Sequence, residues 1–179
     1  MKRLLLGPRP VLLLALWFAA FVAHADPENF VVAPFTFIRP PGWKWVWDEK
    51  LSKKGNLLEI PNQPSPAQMA PVYFWKFSEE EGNPSKRTTA WEAYFHELPE
   101  DLNIRSSTNK IGGFDLTYVE IQGTYVRAPH PDHGLVGAVI KLEKGYLAIR
   151  MSGRSRLIDE STVAFKNMIE HALREKEVE

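Results

Sequence analysis

Three stretches of the chain hold residue types at spacings that could do chemistry. In APHPDHG (128–134), His130, Asp132 and His133 lie within four positions. Imidazole and carboxylate both ligate zinc and related metals. A small metal-dependent hydrolase would need these three side chains to converge on a pocket with a fourth titratable group. The other histidines beyond residue 25, His96 and His171, fall on expected helices. The competing reading is a proline-stiffened, solvated hairpin loop. In SGRSR (152–156), Arg154 and Arg156 flank Ser155 just before the last expected helix. Backbone N–H groups and arginines at a helix start can hold a phosphate or carboxylate, and a solvated connector is the alternative.

The third stretch is GWKWVWD (42–48), where Trp43, Trp45 and Trp47 alternate. Alternate residues of a strand share one face. The three indoles therefore form either a stacking platform or a slab of core. Trp43, directly after the Pro-Pro-Gly turn, is expected in the core, as is Trp75. Trp45 and Trp47, next to Asp48-Glu49-Lys50, are candidates for a groove edge that takes a ligand or partner. The sequence has no G-x-S-x-G elbow, no H-E-x-x-H, no G-x-x-x-x-G-K loop and no cysteine nucleophile. A protein that is not an enzyme, with no cofactor, is expected.

The elements that position these residues are legible from periodicity. Residues 31–38 read as a strand that Pro40-Pro41-Gly42 stops, since proline offers no N–H to a ladder. VYFWKF (72–77) is strongly strand-like, and the polar run 78–84 after it reads as loop. Thr89-Ala90-Trp91-Glu92 matches a capping box. It predicts a helix over 89–98, with Trp91, Tyr94, Phe95 and Leu98 in one apolar stripe. The space between this helix and the sheet would have to exceed roughly 300 Å³ to make the protein a lipid or small-molecule carrier. Residues 114–126 form a long strand whose alternation changes phase near Tyr118, the mark of a bulge. Residues 135–142 and 146–151 make a hairpin about Glu143-Lys144-Gly145. A terminal helix is predicted over 160–174, with Phe165, Met168, Ile169, Ala172 and Leu173 in its buried stripe and Asp159 and Glu160 at its positive end. Consecutive strands with short turns and two amphipathic helices imply a mostly antiparallel α+β sheet flanked by helices, an α/β/α sandwich. Trp43, Trp91 and Phe165 are expected to meet in one shared interior.

The first 25 residues are not fold material. Lys2, Arg3 and Arg9 precede an apolar run over 11–22, and Ala23-His24-Ala25 matches a secretory cleavage pattern. The run is shorter than the roughly 20 residues that cross a bilayer. A signal peptide over 1–25 is expected, cut between Ala25 and Asp26, leaving one domain over 26–179 with no stable membrane span. Its removal takes three of 22 basic residues and none of 22 acidic ones, for a formal charge of −3. That balance gives no electrostatic footprint for nucleic acid. With no cysteine, an exported domain of this kind is held by packing alone.

FTFIRPPGW (35–43), the long mid-chain strand, the hairpin LVGAVIKLEKGYLAIRMSG (135–153) and the closing helix FKNMIEHAL (165–173) together resemble the PsbP-like α/β/α sandwich superfamily. The likeness covers most of residues 30–174. That superfamily includes extrinsic photosystem proteins, Ran-binding nuclear proteins and many bacterial exported proteins. The resemblance implies the fold and a tendency toward binding rather than catalysis. It transfers no functional residue. The expectation is a periplasmic or secreted accessory protein that docks to another envelope protein or a small ligand.

Overall fold

The computed structural model describes residues 28–32, 34–46, 57–59, 70–127 and 132–178. The expected leader and its expected Ala25–Asp26 junction, Trp47 and His130 lie outside the described residues, and Trp45 is described only in its backbone.

The segment expected as one strand over 31–38 is a hairpin. Strands β1 (Asn29–Val32) and β2 (Phe35–Ile38) pair antiparallel, Asn29 opposite Ile38 and Val32 opposite Phe35. The turn brings Phe30 onto Phe37, with ring centroids 5.4 Å apart and planes nearly parallel at 17°. Both rings meet Phe74 edge-on, at 5.5 and 5.3 Å. After β2 the Pro-Pro-Gly turn closes as expected, Trp43 N–H donating to the Pro40 carbonyl at 3.1 Å. Then come β3 (Lys44–Val46), β4 (Leu57–Glu59) and β5 (Val72–Phe77).

Two helices follow where a loop and a later helix were expected. Ser78 caps the short α1 (Glu79–Gly82), accepting from Glu81 N–H at 3.2 Å. Asn83 caps α2 (Pro84–Glu92), accepting from Lys86 N–H at 3.0 Å, with proline in the first turn. An Asn-Pro start is the stronger signal, because proline has no N–H to leave unsatisfied there. The helix starts five residues before the expected start and ends at Glu92, six residues before the expected end. Beyond it the backbone pairs with the sheet instead: His96 N–H donates to Thr124 O and Val126 N–H to Tyr94 O, both at 2.9 Å. Leu98, expected in the buried stripe, is 60% exposed.

The remaining elements are β6 (Asn103–Ile111), β7 (Phe114–Gly123), β8 (His133–Lys141), β9 (Tyr146–Arg154) and α3 (Ser155–Val178). The main sheet has the order β3-β4-β5-β9-β8-β7-β6, with every neighbouring pair antiparallel. β7 runs in unbroken register with both neighbours, so it has no bulge at Tyr118. Its alternation changes phase because both of its faces are buried: Leu116 and Tyr118 lie in one core, Val119 and Ile121 in the other. The β8–β9 hairpin turns at Gly145, with φ of 82°, a left-handed value that glycine adopts without steric penalty. α3 begins five residues before its expected start, so Asp159 and Glu160 fall in its second turn, and no acidic residue occupies its first.

The interior is two cores, one on each face of the sheet. The larger lies under α3 and the β1–β2 hairpin and contains Trp43, Phe74, Ile140, Met151 and Phe165. The smaller lies under α2 and contains Trp91, Phe95, Leu102, Val119, Ile121 and Val139. Trp43, Trp91 and Phe165 are all buried as expected. The sheet separates Trp91 from the other two, so the single shared interior is corrected to two.

Candidate functional site

α2 is only nine residues long and covers β7, β8 and part of β9. Its contact is tight. The six-membered ring of Trp91 rests on Gly137, and a methyl group built at that glycine would overlap the ring. The space between this helix and the sheet is therefore packed with side chains, which removes the room a carrier would need there. The two cavities described lie elsewhere. One of about 170 Å³ is lined by Arg105, Glu120, Asp159 and neighbours, and one of about 270 Å³ lies between Pro40-Pro41 and α3.

Past the edge of α2, on the same face of the sheet, half-buried aromatic residues stand in a row. Odd-numbered residues of β5 point to this side, because Val72 and Phe74 are in the larger core. Tyr73 and Trp75 stack at 4.9 Å with planes 20° apart, and both are half-buried. Trp75 is thus half-buried, where the sequence placed it in the core.

Arg150 is directly opposite Tyr73 in the β5–β9 register. Its guanidinium carbon lies 4.5 Å from the Tyr94 ring centre, 5.1 Å from that of Trp75 and 5.2 Å from that of Tyr73. Two residues beyond Trp75 on β5, Arg87 of α2 sits 4.0 Å over Phe77. Each guanidinium has a buried Nε with no hydrogen-bond acceptor. Neither arginine makes a hydrogen bond or ion pair through its side chain among the described residues. Stacking holds a guanidinium by its faces and, with Nε buried, leaves the edge formed by its two terminal nitrogens available, which is a geometry that takes a carboxylate in a fork. The aromatic band continues from Tyr94 to Tyr125 at 6.4 Å and on to His133.

The residues singled out from sequence are scattered around this strip rather than gathered into one site. Asp132 is exposed. His133 opens β8, with its ring stacked on Tyr125 at 4.5 Å and edge-on to Phe95 at 6.1 Å, so aromatic packing fixes its orientation. Among the described residues, no group of three His, Asp or Glu side chains is placed to hold a metal. Arg154 is the exposed last residue of β9, and Arg156 is exposed in α3, paired with Glu160 at 2.8 Å. The first N–H of α3, from Ser155, donates to Asp132 O at 3.2 Å. The register row of Trp45 runs through Leu58, Val72, Met151 and Val136. Sequence reasoning missed Arg150, Tyr73, Tyr94 and Arg87. The available signal was an arginine at the outward parity of an otherwise apolar hairpin strand, YLAIRM.

The shifted titratable groups are engaged in structure. The Lys141 ammonium, the Gly145 N–H and the charge of Lys141 hold the Glu79 carboxyl below its ordinary value, and this clamps the β8–β9 turn. The same hydrogen bond to Glu79 raises Lys141. Thr124 lowers Glu97, whose two carboxylate oxygens each accept the Thr124 N–H at 2.9 Å. Burial first, then the nearby Glu170 charge, pushes the Tyr118 phenol upward. Each shift favours the form already present at neutral pH. A general acid or base needs the opposite, a value brought toward 7.

No known family model matches the chain, and no curated protein sequence matches it. Solved structures do. Cyanobacterial PsbP (CyanoP) from Synechocystis sp. PCC 6803 superposes with a TM-score of 0.51 at 11% identity, over 86% of this chain and 95% of that one. A protein of unknown function from Pseudomonas aeruginosa gives a TM-score of 0.47 at 12% identity, over 82% of this chain and 95% of its own. The first likeness shows the fold, which is PsbP-like, as the residues 35–43 and 135–173 implied. Among the described residues, no helix is long and apolar enough to cross a membrane.

Proposed function

We propose that this PsbP-like α/β/α sandwich is an exported, non-enzymatic accessory protein that docks onto another protein of the cell envelope. Export follows from the leader, with cleavage between Ala25 and Asp26. The observation that carries the docking reading is the strip made by Tyr73, Trp75, Tyr94 and Arg150, half-open on a rigid sheet beyond the end of α2. Tyrosine, tryptophan and arginine are the residue types that dominate binding energy at protein interfaces. They are held here by cross-strand pairing and mutual stacking, so little side-chain freedom is lost on contact.

The test is paired capture from the envelope fraction of the native cell, using the wild-type chain and the Tyr73→Ala/Trp75→Ala double variant. Circular dichroism first checks that both are folded. The reading requires a protein retained by the wild type and absent from the double variant. Equal capture by the two, or an uncut chain that stays in the cytoplasm, overturns it.

A further inference from the structure

We infer that the strip recognises carboxylates, and that its occupant is an acidic, extended segment of a partner protein, engaged by Arg150 and Arg87 together. This rests on the docking reading and adds the chemistry of what docks. A guanidinium removed from water normally brings its own anion, because an uncompensated charge is costly to desolvate. Arg150 and Arg87 are half-buried, each seated on aromatic rings and each with a buried Nε that has no acceptor, so only their terminal N–H groups remain open to a carboxylate. Lys141 and Lys166, which are buried to a similar degree, pair with Glu79 and Glu120. The contrast marks these two arginines as prepared for an anion from outside.

Their spacing narrows the occupant. Arg150 lies against residues 73 and 75 of β5, and Arg87 lies against residue 77. At about 3.3 Å of rise per strand residue, the two guanidinium groups are roughly 7–13 Å apart along the strand. Acidic side chains two to four residues apart in an extended segment span the same distance. Tyr73 and Trp75 beside the guanidinium groups would lie against the stems of those side chains and shield the ion pairs from water, which strengthens them.

The experiment is fluorescence anisotropy of the purified chain with fluorescein-labelled hexaglutamate, with labelled hexaglutamine and hexalysine as controls. Saturable binding of hexaglutamate alone is expected, weakening as salt is added. Arg150→Gln should weaken it about tenfold or more, the loss of a charge-assisted forked contact. Arg150→Lys should weaken it less, because it keeps the charge and loses the planar fork. Arg87→Gln should weaken it by a smaller factor. Melting temperatures of all three variants confirm that they fold. Hexaglutamine binding as tightly as hexaglutamate, an unchanged affinity for Arg150→Gln, or complete displacement by equimolar inorganic phosphate overturns the inference. Hexaglutamate binding by a chain that captures no envelope protein would support the inference and sink the docking reading. Capture that survives Arg150→Gln undiminished would do the reverse.

Discussion

The two faces of the sheet are finished to different degrees. Under α3 apolar residues of β1, β2, β5, β7, β8, β9 and α3 close into a dry interior, with Phe35, Phe37, Ile140, Ile149, Met151 and Phe165 at 0% exposure. A 24-residue helix and a hairpin cover that face. On the opposite face lies a nine-residue helix, and beside it stand half-buried rings and guanidinium groups. One face is a scaffold. The other carries half-buried rings and two guanidinium groups whose Nε atoms have no acceptor. Proteins commonly keep such locally suboptimal arrangements where something binds.

The contrast sets the order of mutational effects. Phe165→Ala should cost about 3–5 kcal/mol, the range for deleting a fully enclosed aromatic ring. Trp75→Ala should cost about 1–2 kcal/mol, since it removes a half-open stacked pair and one cation contact. Urea unfolding of the two variants measures the difference. Equal losses would mean that the second face is as load-sharing as the first, and the distinction would fail.

Gly137 sharpens the comparison within the covered part of the second face. Because the Trp91 ring occupies the place of a side chain at Gly137, Gly137→Ala should cost about 1–3 kcal/mol through overpacking. Most of that cost should vanish in a Trp91→Leu background, and a double-mutant cycle reads the coupling. Additive losses in the cycle would show that the ring and the glycine do not set each other's position.

How much of this was legible in the sequence depends on the range of the signal. The α3 stripe and the matched parities of β8 and β9 are local, so the larger core could be read directly. The start of α2 was misplaced because Thr89–Glu92 has the spacing of a capping box inside a helix that Asn83-Pro84 had already begun. The phase change in β7 read as a bulge because a strand buried on both sides loses simple alternation. Tyr73 and Arg150 are opposite each other only through the pairing of β5 with β9, elements far apart in sequence. Nothing local announces that register. The same holds for Trp75: its parity is plain, but whether a helix reaches far enough to cover it is a tertiary fact.

Arg150 offers a smaller and more telling change. Arg150→Met keeps an unbranched stem against Tyr73, Trp75 and Tyr94 and trades cation–π contacts for sulfur–aromatic ones. It also removes a guanidinium whose Nε is buried without an acceptor. These terms oppose each other, and the net change in stability should be below about 1 kcal/mol. Thermal unfolding checks it. A large loss would make Arg150 a strut of the second face rather than a group kept for contact.

The smallest effect is one of pH, and it lies at the rim of that same face. Glu97 has a folded-state value below its ordinary 4.5, first through the side chain of Thr124 and then through the Thr124 N–H. A carboxylate depressed in this way contributes stability above its unfolded value, and the contribution fades as pH falls through the lower, folded value. Glu97→Gln should therefore melt below the wild type at pH 7, with the gap closing as both are acidified past about 4.5 toward 3. Glu79 is depressed as well, so the wild type and the variant share its acid loss, and the difference between them isolates Glu97. A gap that stays constant from pH 7 to 3 would mean that the amide and the carboxylate hold Thr124 equally well. In that case the link between the end of β7 and the segment after α2 owes nothing to charge.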